Sequence, residues 1–199
     1  MATITKTQGT SLITLQELTA NTVLKSSAQD VTTKLAAMVF IHFGLTDPTG
    51  VLSAGVEFRV EASAKSSGND QWFPISSVRT YTAAPEAEAV SGTVTSGTTL
   101  VTVSSTTNLT VGDIVFIKNT TLANSEWGRI RAVSTNASIT LIDSLTNTQT
   151  GSTIYDLAEM YAIPIDLTAI GRIRLVADGS GTDKDTVVES YMVTGDAIS

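Results

Sequence analysis

Hydrophobic and polar residues alternate with a period of two near both ends of this chain. In GVEFRVEAS, residues 55 to 63, Val56, Phe58 and Val60 share one side while Glu57, Arg59 and Glu61 share the other; in GRIRLVADG, Ile173 and Leu175 oppose Arg172 and Arg174 in the same way. That period is the mark of a strand with one face in a core and one in water. The run KLAAMVFIHFG differs, because Ala37, Val39, Ile41 and Phe43 interleave with Met38, Phe40 and His42, which makes both faces largely apolar. It predicts a central strand covered by layers on both sides. Upstream, TSLITLQELTANTVLKSSAQDVTT gives further β-like runs, and WFPISSVRTYT is an extended run whose Pro74 suits an edge or a bulge. AEMYAIPID and TVVESYMVTGD complete the set of longer strands.

Between these flanks the pattern changes. TAAPEAEAVSG, residues 82 to 92, has no period and little apolar bulk, and reads as a linker. From about residue 91 to 156 the turns crowd together: TTLVTVSS, VGDIVFIKN, EWGRIRAVS, SITLIDSL and a last run at Ser152 to Tyr155 are five short strands joined by brief polar turns. Such spacing predicts a small closed barrel. In VGDIVFIKN the carboxylate of Asp113 is expected to brace the turn before its strand.

Neither flank has strands enough to bury two faces, whereas together they supply a sandwich. The sequence therefore predicts an all-β protein: an N-terminal arm at residues 1–12, a discontinuous β-sandwich of immunoglobulin-like or jelly-roll-like type at 13–89 and 157–199, and an inserted small β-barrel at 90–156. An exposed loop is where an insertion disturbs its host least. TAAPEAEAV and TIYDLAEM would then form a two-stranded or two-linker neck to the barrel, and a sandwich without the barrel is expected to fold.

Composition narrows the partners. Ser and Thr make up 54 of 199 residues, charged residues only 16 percent, and the net charge is −7 with a pI near 4.6 and no basic cluster. That balance opposes phosphate-backbone binding, so no nucleic-acid partner is expected. Cysteine is absent and no apolar run is long enough to cross a bilayer, so neither disulfides nor a membrane partner is expected. MATITKTQGTSL lacks the apolar stretch of a leader, which predicts a soluble, unexported product, and the Asn-X-Ser/Thr triplets at Asn108, Asn119 and Asn136 then count as loop composition.

Candidate chemistry is sparse. His42 is the one histidine, too few for a multi-histidine metal site, and reads as a packed or interface residue. Asp178, Asp183 and Asp185 in DGSGTDKD offer oxygens at suggestive intervals for calcium, but without the EF-hand spacing or its closing Glu they read as a hairpin turn. Glu57, Glu61, Glu86, Glu88 and Glu159 are the carboxylates from which a glycosidase pair would be drawn, and Trp72, Tyr81 and Trp127 the rings that would stack on sugars. Phosphate-binding glycine loops are lacking. The expectation is a non-enzymatic protein with no catalytic, cofactor-binding or metal-binding residues.

The opening MATITKTQGTSLITLQELTANTVLKSSAQDVTTKLAAMVFIHFG, the segment YAIPIDLTAIGRIRLVADGSG and the strand VGDIVFIKN together resemble the small virion proteins of tailed bacteriophages. The resemblance lies in style and layout and carries no diagnostic motif. It implies a capsid decoration or cement protein: a β-sandwich on the outside of an assembled particle, partnered by the major capsid protein, forming a homotrimer and using a terminal arm to reach neighbours. No site residues come with it. A head–tail connector, a tail protein, or a carbohydrate- or receptor-binding module are the alternatives, since one fold serves all of them.

Overall fold

In a computed structural model, residues 6–18, 22–49, 55–68, 71–79, 83–179 and 186–196 are described; the side chains of 6–8 are left aside. Six strands come first: β1 (Lys6–Leu18), β2 (Val23–Lys25), β3 (Gln29–Asp30), β4 (Lys34–Leu45), β5 (Glu57–Ser63) and β6 (Phe73–Arg79). Eight short ones follow: β7 (Ala87–Ala89), β8 (Thr93–Val94), β9 (Leu100–Thr102), β10 (Ile114–Lys118), β11 (Glu126–Ser134), β12 (Ser138–Leu141), β13 (Gln149–Thr150) and β14 (Thr153–Tyr155). The chain ends with β15 (Ala158–Asp166), β16 (Arg172–Asp178) and β17 (Thr186–Asp196). Among the described residues the regular structure is strand apart from one 3-10 turn at Leu122–Asn124, and the protein is all-β with a sandwich, as its alternation predicts.

The sandwich packs sheet β1-β17-β4-β15 on sheet β2-β16-β5-β6, with β3 beside β16. Strands from the two ends of the chain pair directly: β17 lies between β1 and β4, and β16 joins β5, with Leu175 opposite Val60. Between the sheets Val39, Ile41, Phe43, Phe58, Val60, Ile173 and Leu175 are almost wholly buried, with the Phe43 and Phe58 rings stacked 5.1 Å apart. This is the core that the alternating positions specify.

β6 is an edge strand, and its register slips between Val60 and Glu61, beside Pro74. The proline thus sits at both an edge and a bulge, where its missing N–H breaks no ladder bond. β15 is the open edge of the other sheet. Leu45 N–H donates to Leu157 and Leu167 N–H to Leu35, so odd-numbered residues of this strand face β4 and the nitrogen of Pro164 points out of the edge.

Of the segment expected as an arm, residues 1–5 lie outside the described residues, and the rest differs from that expectation. From Lys6 onward it is β1, paired with this chain's own last strand from Lys6 opposite Gly195 to Leu18 opposite Thr186. Three register shifts interrupt the pairing. Such bulges blunt an edge strand.

In the middle, β7-β14-β10-β11-β12-β9 form one sheet that curls until its ends meet, with Val90 bridging Val103 and Ser91 N–H donating to Thr102. Val101, Val115, Ile117, Ile130, Ile139 and Ile154 fill its interior. The presumed linker is in part a strand, since Ala87 to Ala89 pair with β14. At the entrance to β10, Thr110 N–H and hydroxyl both donate to the Asp113 carboxylate at 2.8 Å, the brace expected there.

Candidate functional site

Alternate residues of β4 reach the outer face of the first sheet in the order Gly44, His42, Phe40, Met38, Ala36. Across the ladder they meet Val187, Glu189, Tyr191, Val193 and Gly195 of β17 on one side and Met160, Ala162 and Pro164 of β15 on the other. A strand apolar on both faces supplies this surface, and two different things happen along it.

At the Gly44 end the barrel covers it. Phe116 points away from the barrel interior yet is wholly buried, because it packs with Val187, Ala158, Tyr155, Leu15 and Trp127. A Cβ on Gly44 would stand 3.2 Å from Phe116 and from Trp127, so glycine is what lets the two layers close to contact. Polar links flank this seam: Trp127 Nε1–H donates to Glu189 at 3.1 Å and Lys118 pairs with Glu17 at 2.6 Å. The flanking segments pair as two strands, one of the two forms expected of the neck, and the barrel they carry is docked on this sheet.

His42 stands where the cover ends. Its ring lies edge-on to Trp127 at 5.7 Å and to Tyr191 at 5.2 Å, with the Tyr191 hydroxyl 3.3 Å from the ring nitrogens. Burial holds its pKa below the usual histidine value and raises that of the Tyr191 phenol, to which the Glu189 charge adds. Phe116, Trp127, His42, Tyr191 and Phe40 form a continuous aromatic series with centroid spacings of 4.5, 5.7, 5.2 and 5.9 Å.

Beyond His42 the face is half-exposed, and among the described residues the barrel does not reach it. A groove of about 660 Å³ runs over it, lined by Met38, Phe40, Pro164, Val193 and Leu35 among others. Leu35 is 49% exposed and Met160 38%. Charge enters only at its end, with Asp166 and the Lys34–Asp196 ion pair.

The outer face of the second sheet is the opposite in character. Arg174 donates to Glu61 at 2.6 and 2.8 Å, Arg59 bonds Glu57 at 3.0 Å and Asp178 at 3.1 Å, and Arg172 and Arg174 lie over the Trp72 ring at 5.3 and 4.2 Å. It is a partly buried, self-neutralising ionic layer.

The remaining sequence candidates fall apart in space. Glu57 and Glu61 belong to this ionic layer, while Glu88 lies on β7 and Glu159 on β15. Glu86 N–H donates to Asp156, whose carboxyl burial pushes above its ordinary pKa. Asp113 and Asp156 line a polar cleft of about 470 Å³ with Glu159, yet each is occupied in bracing backbone. Asp178 is bound to Arg59; Asp183, Asp185 and Tyr81 lie outside the described residues. Among the described residues no group of three His, Asp or Glu side chains is placed to hold a metal ion, and no helix is long and apolar enough to cross a membrane. Arg172 and Arg174 lie over the half-exposed ring of Trp72, and Trp127 is packed in the seam. Sequence reasoning missed the seam itself; its signal was that IVFIK, like MVFIHF, is apolar on both faces.

Comparison with known proteins finds no family model that matches this chain and no curated protein significantly similar to it.

Proposed function

We propose that this chain is a non-enzymatic virion structural protein that binds the outside of a phage capsid and reinforces it, as a decoration or cement protein acting as a homo-oligomer, most simply a trimer. The observation that carries the reading is the bare apolar half of the first sheet's outer face. Soluble chains leave contiguous apolar surface of this kind mainly where another protein covers it. A cement protein must also transmit load, and the seam at Phe116, Gly44 and Trp127 joins barrel and sandwich by packing as well as by two chain crossings. The expected partner is the major capsid protein, and the net charge of −7 gives no basis for a nucleic-acid partner.

The test is co-sedimentation and negative-stain imaging of particles with and without the protein, followed by heating. Added density on the capsid faces and a higher disruption temperature are expected. Particles that bind none of it, or that break at the same temperature when saturated, sink the proposal; density confined to the portal vertex or tail transfers it to the connector or tail reading. A hydrolytic activity lost in His42→Gln would overturn the non-enzymatic assignment. The carbohydrate-binding alternative gains no support from Trp72 or Trp127, because both rings are engaged within the chain.

A further inference from the structure

We infer that the edge strand β15 receives an extended segment of another protein as an added strand, and that the segment it takes is apolar in its middle and basic at its ends. Neither the capsid nor the trimer proposed above enters this reading.

The edges of the sandwich differ from one another. A sheet edge leaves backbone N–H and C=O groups unpaired, and proteins ordinarily blunt it. Here β1 pairs with its neighbour through three register shifts, β2 and β3 have three and two residues, and β6 carries Pro74 where its register slips. By contrast β15 pairs evenly with β4, from Ala158 opposite Gly44 to Asp166 opposite Ala36, without a shift. Among the described residues its outer side bonds to no strand, and the Ala158 N–H donates only to Asp156 in the turn before it.

The register says which groups are open. Odd-numbered residues of β15 bond to β4, so the N–H and C=O of Met160 and Ala162 point away from the sheet, with the C=O of Pro164 beside them. Pro164 withholds one donor and no acceptor. An antiparallel segment closes ladder bonds with all of these groups, and such main-chain bonds supply the affinity of an added strand. Its alternate side chains then lie beside exposed Met160, Ala162 and Pro164 on one face and half-buried Tyr161 and Ile163 on the other, which calls for an apolar run.

Charge sets the flanks. No charged residue lies between Met160 and Ile165, whereas Glu159 and Asp166 close the stretch at its ends, and Lys34 on the neighbouring β4 is paired with Asp196. Cations at both ends of the segment complement this edge. The same charges disfavour a second copy: two β15 edges paired antiparallel bring acidic end against acidic end, in chains that each carry −7.

The experiment titrates the full chain with the blocked peptide Lys-Lys-Val-Ile-Val-Thr-Val-Lys-Lys and with its Glu-flanked counterpart, read by anisotropy of a label on the peptide and by amide hydrogen exchange. In the free chain the Met160 and Ala162 amides should exchange fast and those of Tyr161 and Ile163 slowly; the Lys-flanked peptide should slow the first pair. Ala162→Pro removes an outward donor without touching the β4 ladder and should weaken binding about tenfold or more, while Ala162→Thr should bind like the wild type. Asp166→Asn, and the change of Lys flanks to Glu, should each weaken binding about threefold at low salt and less at high salt. Ala162 is exposed, so Ala162→Pro should keep a cooperative melt; if it does not fold, amide exchange in the wild type decides. Unchanged exchange at Met160 and Ala162 with the Lys-flanked peptide at its solubility limit overturns the inference, as does equal binding by folded Ala162→Pro or by the Glu-flanked peptide. Protection of these amides that grows with the concentration of the chain alone assigns the edge to a second copy and overturns it as well.

Discussion

Truncating Phe116 to Ala tests whether barrel and sandwich form one cooperative unit. On β10, Val115 and Ile117 fill the barrel, while Phe116 faces outward and is buried only because Val187, Ala158 and Gly44 of the sandwich lie over it. Its ring is 4.5 Å from that of Trp127. An aromatic side chain buries roughly 150 to 250 Å², which at about 25 cal/mol per Å² is worth about 4 to 6 kcal/mol. Measured Phe-to-Ala losses in cores run at about 3 to 5 kcal/mol, so about 4 kcal/mol is expected here. For a chain of this size that lowers the melting temperature by about 8 to 16 °C. The assay is urea denaturation followed by tryptophan fluorescence in single-tryptophan backgrounds: Trp127 reports the seam and Trp72 the second sheet. In the parent the two reporters should unfold together; in Phe116→Ala the Trp127 transition should move to lower urea and separate from that of Trp72. Phe116→Leu, which keeps most of the volume, should cost only about 1 kcal/mol. A Phe116→Ala loss below about 1 kcal/mol, or parent transitions that are already separate, would refute the argument, because the barrel would then be an appendage whose removal leaves the sandwich indifferent.

Acid should loosen the same seam. Burial depresses the folded-state pKa of His42 among Trp127, Tyr191, Glu189 and Met160, so the unfolded chain takes up the proton first; the stabilisation is complete above about pH 6.5 and declines as pH falls below it toward the folded pKa. The urea midpoint should therefore drop between about pH 7 and 5, less steeply in His42→Gln, and equal slopes would count against it. Asp113→Ala removes the acceptor of two hydrogen bonds from Thr110 and should cost about 1 to 2 kcal/mol in a thermal melt. Gly171→Ala places a Cβ 2.7 Å from the Lys65 carbonyl carbon, a backbone clash expected to cost about 3 kcal/mol or more; a folded variant with an unchanged melting temperature would show that the turn gives way at no cost.

Period-two alternation was enough to place the long strands. EWGRIRAVS, AEMYAIPID and TVVESYMVTGD coincide with β11, β15 and β17, and the opposed faces of GVEFRVEAS and GRIRLVADG are the core and ionic faces of β5 and β16. Local chemistry was legible too: the Asp113 carboxylate braces its own turn through Thr110, as its position before the strand suggested. The strands that went unread are short or irregular. β7, β8 and β13 have two or three residues each, too few to show a period, and exist because partners lie beside them. β1 was legible as a β-like run from Thr10 onward, and its pairing with β17 adds that Lys6 to Leu12 belong to the same sheet edge.

What the sequence by itself determined, then, is which positions are covered. What only the tertiary structure decided is by what. The two-sided apolar runs around His42 and Phe116 record that each strand lies between layers, but a side chain's hydrophobicity is the same whichever surface removes it from water. That Phe116 is buried by Val187, that Glu61 meets Arg174, and that Gly44 lies beneath Trp127 are pairings between residues far apart in the chain, fixed by strand register and by the docking of one sheet on another. The same physics leaves Met38, Phe40 and Pro164 marked for cover by their composition, while the identity of the cover lies in a surface outside the fold of one chain.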